Sequence, residues 1–246
     1  MRLVPLGVGD AFSAKHYSSC LLIEHDAHRI LIDCPHPIRK ILAEAGQGLA
    51  ERLDLDSIDA VVLTHLHADH ASGLEGYGYF MHFVLRRRAR LVVHPAVQDR
   101  LWYGHLAAGM EHLGIPGAPG ARAMALEDYF EIVPLHERAP ARIGPFTIEC
   151  RRTLHHVPTT ALRVHAGERS LGYSADTSFD RALIAWLAEA DLVVHETNYG
   201  AHTPYASLAE LPEELRSKLR LIHYPDDFDL DASVIEPLRQ GRSYSI

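Results

Sequence analysis

Residues 65–70, HLHADH, place three imidazoles and one carboxylate within six positions of the chain. The apolar run AVVL just before them is typical of a buried strand, and a glycine-containing turn and a helix-like segment follow. Imidazole nitrogens and carboxylate oxygens are ligands of zinc and similar divalent ions. The alternation puts His65 and His67 on one side of the turn and Asp69 and His70 on the other. This arrangement indicates two neighbouring metal ions.

Chance is a weak explanation for this pattern, although the chain has 18 histidines among 246 residues. A random chain of this composition would contain the pattern H-x-H-x-D-H about 0.006 times. The alternative interpretation is a solvated polar turn. The motif directly follows a predicted buried strand, and this position favours the metal site over the solvated turn.

Composition restricts the class of protein. The length and an apolar content of 47% suit one domain over residues 1–246 with a sizeable core. No apolar run approaches the roughly 18 residues of a membrane span, and the start MRLVPLG lacks a signal peptide's apolar region, so we predict a cytoplasmic protein. A formal charge of −8 argues against a broad nucleic-acid-binding surface. The three cysteines, Cys20, Cys34 and Cys150, are predicted to be free buried thiols.

One basic cluster interrupts this acidic chain, at Arg86, Arg87, Arg88 and Arg90. A solvated helix end is the favoured interpretation. A phosphate-rich substrate is the alternative.

The pattern of apolar residues and turn signals predicts an α/β fold. Helices are expected at 37–50, 73–85, 95–110, 179–189 and 205–217, with a loop at 114–120. Strands are expected at 2–8, 18–24, 29–33, 60–63, 90–94, 128–133, 145–154, 161–166, 169–174, 191–194 and 219–222. Two β-rich blocks with helices between them fit two facing sheets covered by helices.

The motif at 65–70 resembles that of the metallo-β-lactamase superfamily, and the resemblance extends over nearly the whole chain. It implies a four-layer αββα sandwich in which the first two histidines bind one metal and the Asp and last His bind the other. It also implies a hydroxide between the two ions as the nucleophile. Iron-using flavodiiron members usually carry a carboxylate where His67 stands here, so zinc is favoured, with manganese and iron as alternatives.

Three later residues resemble the remaining ligands of ribonuclease Z and its relatives. The HHVP segment at 155–158 resembles their third motif, and its spacing selects His155, with His156 as the alternative. The relatives often have Gly-Tyr at the positions of Ala161 and Leu162. Asp176 matches the carboxylate that bridges the metals, and His223 matches the final ligand. The resemblance thus implies that one ion binds His65, His67 and His155, the other binds Asp69, His70 and His223, and Asp176 is shared. Each later residue has the alternative of being an ordinary polar residue at a strand end.

Two further segments resemble catalytic elements of the same group. The segment VVHET, ending a predicted strand, resembles its His-Glu-Ala-Thr motif and contributes Glu196. His202 with Thr203 resembles its later His-x-Thr, where the His protonates the leaving alkoxide. His202 lies only six positions after Glu196, whereas ribonuclease Z uses a much longer segment. The alternative for His202 is a neighbour of a helix start capped by Thr203. Asp69, Glu196 and His202 are therefore the candidate catalytic residues.

Asp33, at the end of a predicted strand, resembles the early aspartate of the family. It is either a hydrogen-bond partner that orients a ligand histidine or a turn residue closing the strand.

The substrate expected from the resemblance is small. Ribonuclease Z carries a tRNA-binding arm between its third motif and the bridging Asp, whereas here Asp176 lies 21 positions after His155 and two short predicted strands fill the interval. Phage anti-Pycsar cyclic-nucleotide phosphodiesterases and the cyclic-phosphate phosphodiesterase of phosphonate breakdown are compact relatives without an arm. Residues 73–102 are similar to the first group. The sequence therefore predicts a phosphodiesterase for cyclic nucleotides or other small phosphodiesters, with tRNA disfavoured and a homodimer expected from the family.

Two other functions remain as alternatives. One is hydrolysis of carboxyl esters, lactones or thioesters on the same scaffold, and the other is a non-catalytic metal-binding sensor. Glu196 and His202 favour the phosphodiesterase over the first, and the intact predicted ligand set argues against the second. A group of aromatic residues could line a base pocket, although most are expected in the core or at a dimer contact: Tyr77, Tyr79, Phe80, Trp102 and Tyr103.

Overall fold

Two β-sheets face each other in the structure, a computed structural model that describes residues 1–246. In chain order the strands are β1 Arg2–Gly7, β2 Cys20–His25, β3 His28–Ile32, β4 Ala60–Leu63, β5 Ala89–Val93, β6 His112–Gly114, β7 Ala121–Ala123, β8 Phe130–Pro134, β9 Ala141–Ile143, β10 Phe146–Arg152, β11 Thr160–Ala166, β12 Arg169–Tyr173, β13 Leu192–Glu196, β14 Leu219–Ile222 and β15 Tyr244–Ser245. The helices are α1 Ile38–Leu49, α2 Ala68–Ala71, α3 Leu74–Tyr79, α4 Pro95–Leu101, α5 Ala107–Met110, α6 Leu126–Tyr129, α7 Arg181–Leu187, α8 Tyr205–Ala209 and α9 Glu213–Lys218.

The first sheet has the order β15-β1-β2-β3-β4-β5-β8, and the second has the order β14-β13-β12-β11-β10-β9. Strands β3, β4, β5 and β8 run parallel, as do β12, β13 and β14 in the other sheet. In open parallel sheets, binding sites form beyond the carboxyl ends of the strands. The topology therefore directs the loops after β4, β12 and β14 toward one end of the sandwich.

Alternation along the strands builds the layers. In β2, Leu21 and Ile23 join the cluster between the two sheets, while Leu22 points to the cluster beneath the helices of the first sheet. In β3, Ile30 and Leu31 divide in the same way. Successive side chains of a strand point to opposite faces, so strands covered on both faces need apolar residues at every position. These layers confirm the predicted α/β arrangement of two facing sheets covered by helices.

Helix α1 shows how a helix covers the first sheet. Ile38, Ile41, Leu42 and Ala45 are buried and recur at helical spacing, so they form one apolar face against the sheet. The helix ends at Ala50, which adopts a left-handed conformation with φ of 55°. The predicted helix 37–50 agrees with these bounds within one residue.

Three predicted helices differ from the observed ones. Residues 73–85 form α3 followed by the π-helical turn Phe80–Val84, and residues 95–110 form α4 and α5 separated by the π-helical turn Trp102–Leu106. The prediction of one helix over 205–217 is wrong, because the chain forms α8 and α9 with Pro212 between them. Proline lacks an amide hydrogen and disfavours helix in the residue before it.

Short elements are the other difference. The predicted loop at 114–120 is the tip of a hairpin formed by β6 and β7, two strands that were not predicted. The short strands β9 and β15 and the short helix α6 were not predicted either. Elements of two to four residues carry too few positions to show a period.

Most of the expectations for individual cysteine, arginine and aromatic residues agree with the structure. All three cysteines are buried and free, as predicted. The side chains of Arg86, Arg87 and Arg88 are exposed, in agreement with a solvated helix end. Tyr77, Tyr79, Phe80 and Trp102 pack in or against the core, but Tyr103 is 87% exposed. No helix is both long enough and apolar enough to cross a membrane.

Candidate metal centre

Candidate ligands from both sheets meet at one end of the sandwich. The loop after β4 carries the HLHADH segment, and the segments after β10, β12 and β14 bring His155, Asp176 and His223 to it. Backbone strain accompanies this convergence, because Asp33, Ala175 and His223 all have positive φ, at 64°, 49° and 59°. Residues other than glycine adopt such angles where the surrounding structure imposes them, often at functional sites.

The first group of ligand atoms contains His65, His67, His155 and Asp176, all within 4.8 Å of one another. The Nδ1 atom of His67 lies 3.1 Å from Nε2 of His65 and 3.3 Å from Nε2 of His155. The Oδ2 atom of Asp176 lies 3.6 Å from Nε2 of His65 and 3.9 Å from Nε2 of His155. These atoms surround a common point.

The second group contains Asp69, His70 and His223. Oδ2 of Asp69 lies 3.3 Å from Nε2 of His70 and 3.2 Å from Nε2 of His223. The other oxygen of Asp176, Oδ1, lies 3.4 Å from Nε2 of His70 and 3.7 Å from Nε2 of His223. Asp176 therefore presents one oxygen to each group.

Two divalent ions fit this donor set. Tetrahedral zinc with ligand bonds of about 2.0–2.1 Å has ligand–ligand distances of about 3.3–3.4 Å, close to the separations within both groups. Buried Nε2 of His70 and Oδ1 of Asp176 have no hydrogen-bond partner. Unpartnered buried polar atoms are costly, and coordination would satisfy both.

The protonation states also suit cation binding in the first group. Burial and the neighbouring imidazoles lower the pKa of His67 to about 4, and burial also lowers the pKa of His65. The pKa of His155 falls to about 3, chiefly through burial. These imidazoles are therefore neutral at pH 7, which is the form that binds a metal.

The second group holds opposite charges instead. Burial lowers the pKa of His70, but the carboxylates of Asp176 and Asp33 outweigh it, so its pKa lies well above the usual value. Burial raises the pKa of Asp69, yet the hydrogen bond from His223 and the nearby imidazole of His70 bring it below its usual range. Without a cation, protons on imidazole balance the carboxylates, so metal binding would release protons.

Asp33 and Thr64 contact the Nδ1 atoms of His70 and His65, on the side of each ring away from the other candidate ligands. Oδ2 of Asp33 lies 2.7 Å from Nδ1 of His70, and Oδ1 accepts hydrogen bonds from the backbone and the hydroxyl of Thr64. The Thr64 hydroxyl lies 3.0 Å from Nδ1 of His65. Such partners fix the ring orientation of metal-binding histidines. Asp33 thus contacts a candidate ligand and also closes β3, so both alternatives for it describe the structure. Thr64 was not anticipated, and its position directly before His65 was the available signal.

His155 and His156 lie in different places. His155 belongs to the first group, with its side chain buried. His156 lies outside the group, and its Nε2 is 3.0 Å from Nε2 of His67, on the far side of that ring from the other ligand atoms. The geometry favours His155 as the ligand and leaves His156 on the wall of the cavity above the site.

Glu196 and His202 form a pair beside the candidate ligands. Nδ1 of His202 lies 2.9 Å from Oε1 of Glu196 and 4.0 Å from Oδ2 of Asp176. The same Oε1 accepts a hydrogen bond from the backbone of Thr177. The hydrogen bond to Glu196 raises the pKa of His202 despite partial burial. His202 also lies within ligand distance of Asp176 and His223, but because its Nδ1 is engaged by Glu196 we assign it to the pair.

A cavity of about 580 Å³ opens above these groups. Asp69, Asp176, His202 and His223 form its polar floor, and Phe12 lines its rim with 92% of its surface exposed. The volume falls in the range of about 300–1,000 Å³ typical of small-molecule sites. Phe12, on the loop between β1 and β2, was not singled out by the sequence analysis.

Comparison with known protein sequences shows the family to which this chain belongs. The family described as Anti-Pycsar protein Apyc1 matches residues 1–241. The chain belongs to this family. It is 33% identical over 257 residues to the Anti-Pycsar protein Apyc1 of Saccharibacillus brassicae, and the match covers 100% of both chains. The protein of the same name from Bacillus phage 010DV004 is 32% identical over 268 residues, covering 99% of this chain and 98% of the phage protein.

A solved structure confirms the fold of this Apyc1-family chain. The metallo-β-lactamase fold protein YhfI from Bacillus subtilis is similar with a TM-score of 0.78 and 19% identity, covering 99% of each chain. The four-layer metallo-β-lactamase sandwich expected from the sequence is therefore present. Together, the family and the fold identify the protein as a metal-dependent hydrolase.

Proposed function

We propose that this Apyc1-family protein is a phosphodiesterase with a dinuclear metal site that cleaves cyclic nucleotides or other small phosphodiesters. The observation that carries the proposal is the position of Asp176, with one oxygen toward each group of candidate ligands and His202 beside it. The anti-Pycsar enzymes that the sequence resembles are cyclic-nucleotide phosphodiesterases, and family membership supports the same substrate class.

The proposed ligands are His65, His67 and His155 for one ion and Asp69, His70 and His223 for the other, with Asp176 shared. Divalent ions bound there would supply a hydroxide nucleophile at neutral pH, by lowering the pKa of water, and would offset the charge of the phosphate. Most of the seven side chains are buried, and Thr64 and Asp33 contact the Nδ1 atoms of His65 and His70, which fixes these two rings. Zinc is the proposed metal, and manganese and iron are the alternatives.

His202 supports a phosphodiester rather than an activated ester as substrate. An alkoxide leaves a phosphodiester only with difficulty, so a proton donor at the leaving oxygen accelerates the reaction. Glu196 engages Nδ1 of His202 and stabilises the imidazolium. A protonated imidazole donates from both nitrogens, so Nε2 is the proposed donor to the leaving oxygen.

The short stretch of chain between His155 and Asp176 supports a small substrate. The chain from His155 to Asp176 contains only β11 and β12, two strands of the second sheet joined by a tight turn. A protruding tRNA-binding arm is absent from this interval. With a net charge of −8, this favours small phosphodiesters over tRNA. A cytoplasmic location and a homodimer stay predictions.

The test of this function is a substrate panel. We expect metal-dependent turnover of bis-p-nitrophenyl phosphate and of 3′,5′- or 2′,3′-cyclic nucleotides, abolished by His67→Ala. Turnover of p-nitrophenyl esters or lactones alone would favour the ester hydrolase and contradict the proposal. A fully metallated protein without any of these activities would favour the metal-binding sensor.

The pH dependence of catalysis tests the pair of Glu196 and His202. Because the carboxylate of Glu196 raises the pKa of His202, His202 keeps its proton to higher pH, and the rate should fall as pH rises through that pKa. Glu196→Gln keeps an oxygen for Nδ1 but removes the charge, so the basic limb of the kcat profile should move to lower pH. His202→Ala should remove this limb and lower kcat by about 100–10,000-fold.

Metal content is the control for these two variants. Neither residue belongs to the proposed ligand set, so both variants should bind as much metal as the unaltered protein by elemental analysis. An unchanged basic limb in Glu196→Gln, with unchanged turnover in His202→Ala, would exclude His202 as the proton donor.

A further inference from the structure

A second cavity lies against the other side of His67. It has a volume of about 460 Å³ and lies between α4 with its π-helical turn and the segment after His155. His67 lines both this cavity, which we call the side cavity, and the cavity above the candidate metal centre. A ligand whose phosphate lies over the metal centre therefore has an adjacent space next to it for its remaining part.

The walls of the side cavity are mainly apolar. Leu66, Val97, Val157 and Pro158 contribute carbon surface from three separate segments of the chain. Leu66 lies between His65 and His67, and Val157 lies two residues after His155, so the walls belong to the same segments that position the candidate metal centre. A preformed, mostly apolar pocket with a few polar groups is the usual form of a small-molecule site.

An aromatic ring and two charges lie along its edge. Tyr103, although large and apolar, is 87% exposed and lines the cavity. Asp99 and Arg100 line it as well, and the arginine ion pairs of the structure involve other residues. The Arg100 guanidinium is thus free to donate hydrogen bonds to a ligand, and the Asp99 carboxylate can accept them.

The π-helical turn Trp102–Leu106 explains the position of Tyr103. Such turns insert an extra residue into a helix and occur frequently at functional sites. Nε2 of His105 in the same turn lies 3.2 Å from the backbone oxygen of Ala71, which connects the turn to the helix that carries Asp69 and His70. The edge of the side cavity is therefore attached to the candidate metal centre.

We propose that the side cavity binds the nucleobase of a cyclic nucleotide, with the base between its apolar walls and the Tyr103 ring and with Asp99 and Arg100 at the base edge. This inference rests on the proposed function. A base matches each feature, since it is flat, stacks on aromatic rings and carries donors and acceptors on its edge. Tyr103 and Arg100 are then residues that determine substrate preference.

The experiment compares substrates with and without a base. The pair is a 3′,5′-cyclic nucleotide and methyl ribofuranoside 3′,5′-cyclic phosphate, in which a methoxy group replaces the base. Gly104 lines the side cavity, so the side chain of Gly104→Trp is expected to occupy it, and an added Cβ has room because it would meet only the Cβ of Arg100, at 3.6 Å. Gly48→Trp is the matched control, since Gly48 is exposed on α1, away from both cavities, with nothing within 4 Å of an added Cβ.

We expect Gly104→Trp to raise KM for the nucleotide at least about 10-fold and to change KM for the base-free substrate less than about twofold. Gly48→Trp should change neither. Tyr103→Ser and Arg100→Ala alter exposed side chains, so they test the same idea if the tryptophan variant does not fold. Each should raise KM for the nucleotide several-fold, with kcat nearly unchanged.

Two results would overturn the base site. One is an equal KM for the two substrates in the unaltered protein, and the other is an equal change for both substrates in all three variants of the side cavity. A base-dependent loss in Phe12→Ser alone would place the base on the opposite rim and also overturn it. In each case, continued cleavage of cyclic phosphates would still support the proposed phosphodiesterase function. If the metallated protein cleaves neither substrate, the proposed function itself is contradicted.

Discussion

Replacing Asp176 with alanine should lower kcat for phosphodiester hydrolysis at least about 1,000-fold, equivalent to about 4 kcal/mol. Its two oxygens face different groups of candidate ligands, and its side chain is only 2% exposed. Without the carboxylate, neither group keeps its shared anionic donor. Elemental analysis should therefore show loss of metal from both positions, together with the loss of turnover.

Two comparisons separate coordination from a general structural defect. Asp69→Ala removes a donor from the second group alone, so it should lose one ion where Asp176→Ala loses both. Asp231→Ala removes a surface carboxylate that is 99% exposed, and it should retain full activity and metal. Two bound ions in Asp176→Ala would contradict the shared-ligand assignment.

Removing the metals should lower the melting temperature by at least about 8–16 °C, which is the effect of a single ion. A ligand present at about 1,000 times its Kd stabilises the folded state by about 4 kcal/mol, and for a domain of this size each kcal/mol corresponds to about 2–4 °C. The candidate ligands come from both sheets, the HLHADH segment from the first and Asp176 and His223 from the second. Bound ions would therefore connect the two sheets.

The measurement is thermal unfolding followed by circular dichroism, before and after chelation, with zinc added back. Asp176→Ala provides the control, because a protein that binds no metal should show no shift with the chelator. The same melting temperature for metallated and metal-free protein would show that the ions do not stabilise the fold.

The grouping of the candidate ligands was largely predictable from the sequence, because four of the seven lie in one short segment. Two pairs of candidate ligands lie within one turn, and the others follow strands that apolar runs reveal. The structure brings all seven predicted side chains together. The choice between His155 and His156 needed coordinates, because adjacent residues at a strand end point in different directions and only the packed structure fixes which one faces the centre.

Other features depend on contacts between distant segments, which no local pattern shows. Thr64 lies between Asp33 and His65 only after β3 and β4 pair in parallel. The side cavity forms where α4 meets Val157, which lies about 60 residues later in the chain. The sequence of either segment alone therefore does not predict the cavity. The π-helical turns are similar to ordinary helices in their apolar pattern, because an extra residue shifts that pattern by only one position.

The order of the candidate ligands along the chain has a consequence for biosynthesis. The HLHADH segment precedes His223 by more than 150 residues, a stretch that a ribosome translates in about 8–30 s at about 5–20 residues per second. During that time the first four ligands emerge without their partners from the second sheet. Complete loading of the proposed metal site would then follow translation, and until β14 has joined the second sheet the nascent chain would expose an incomplete histidine cluster that attracts metal ions.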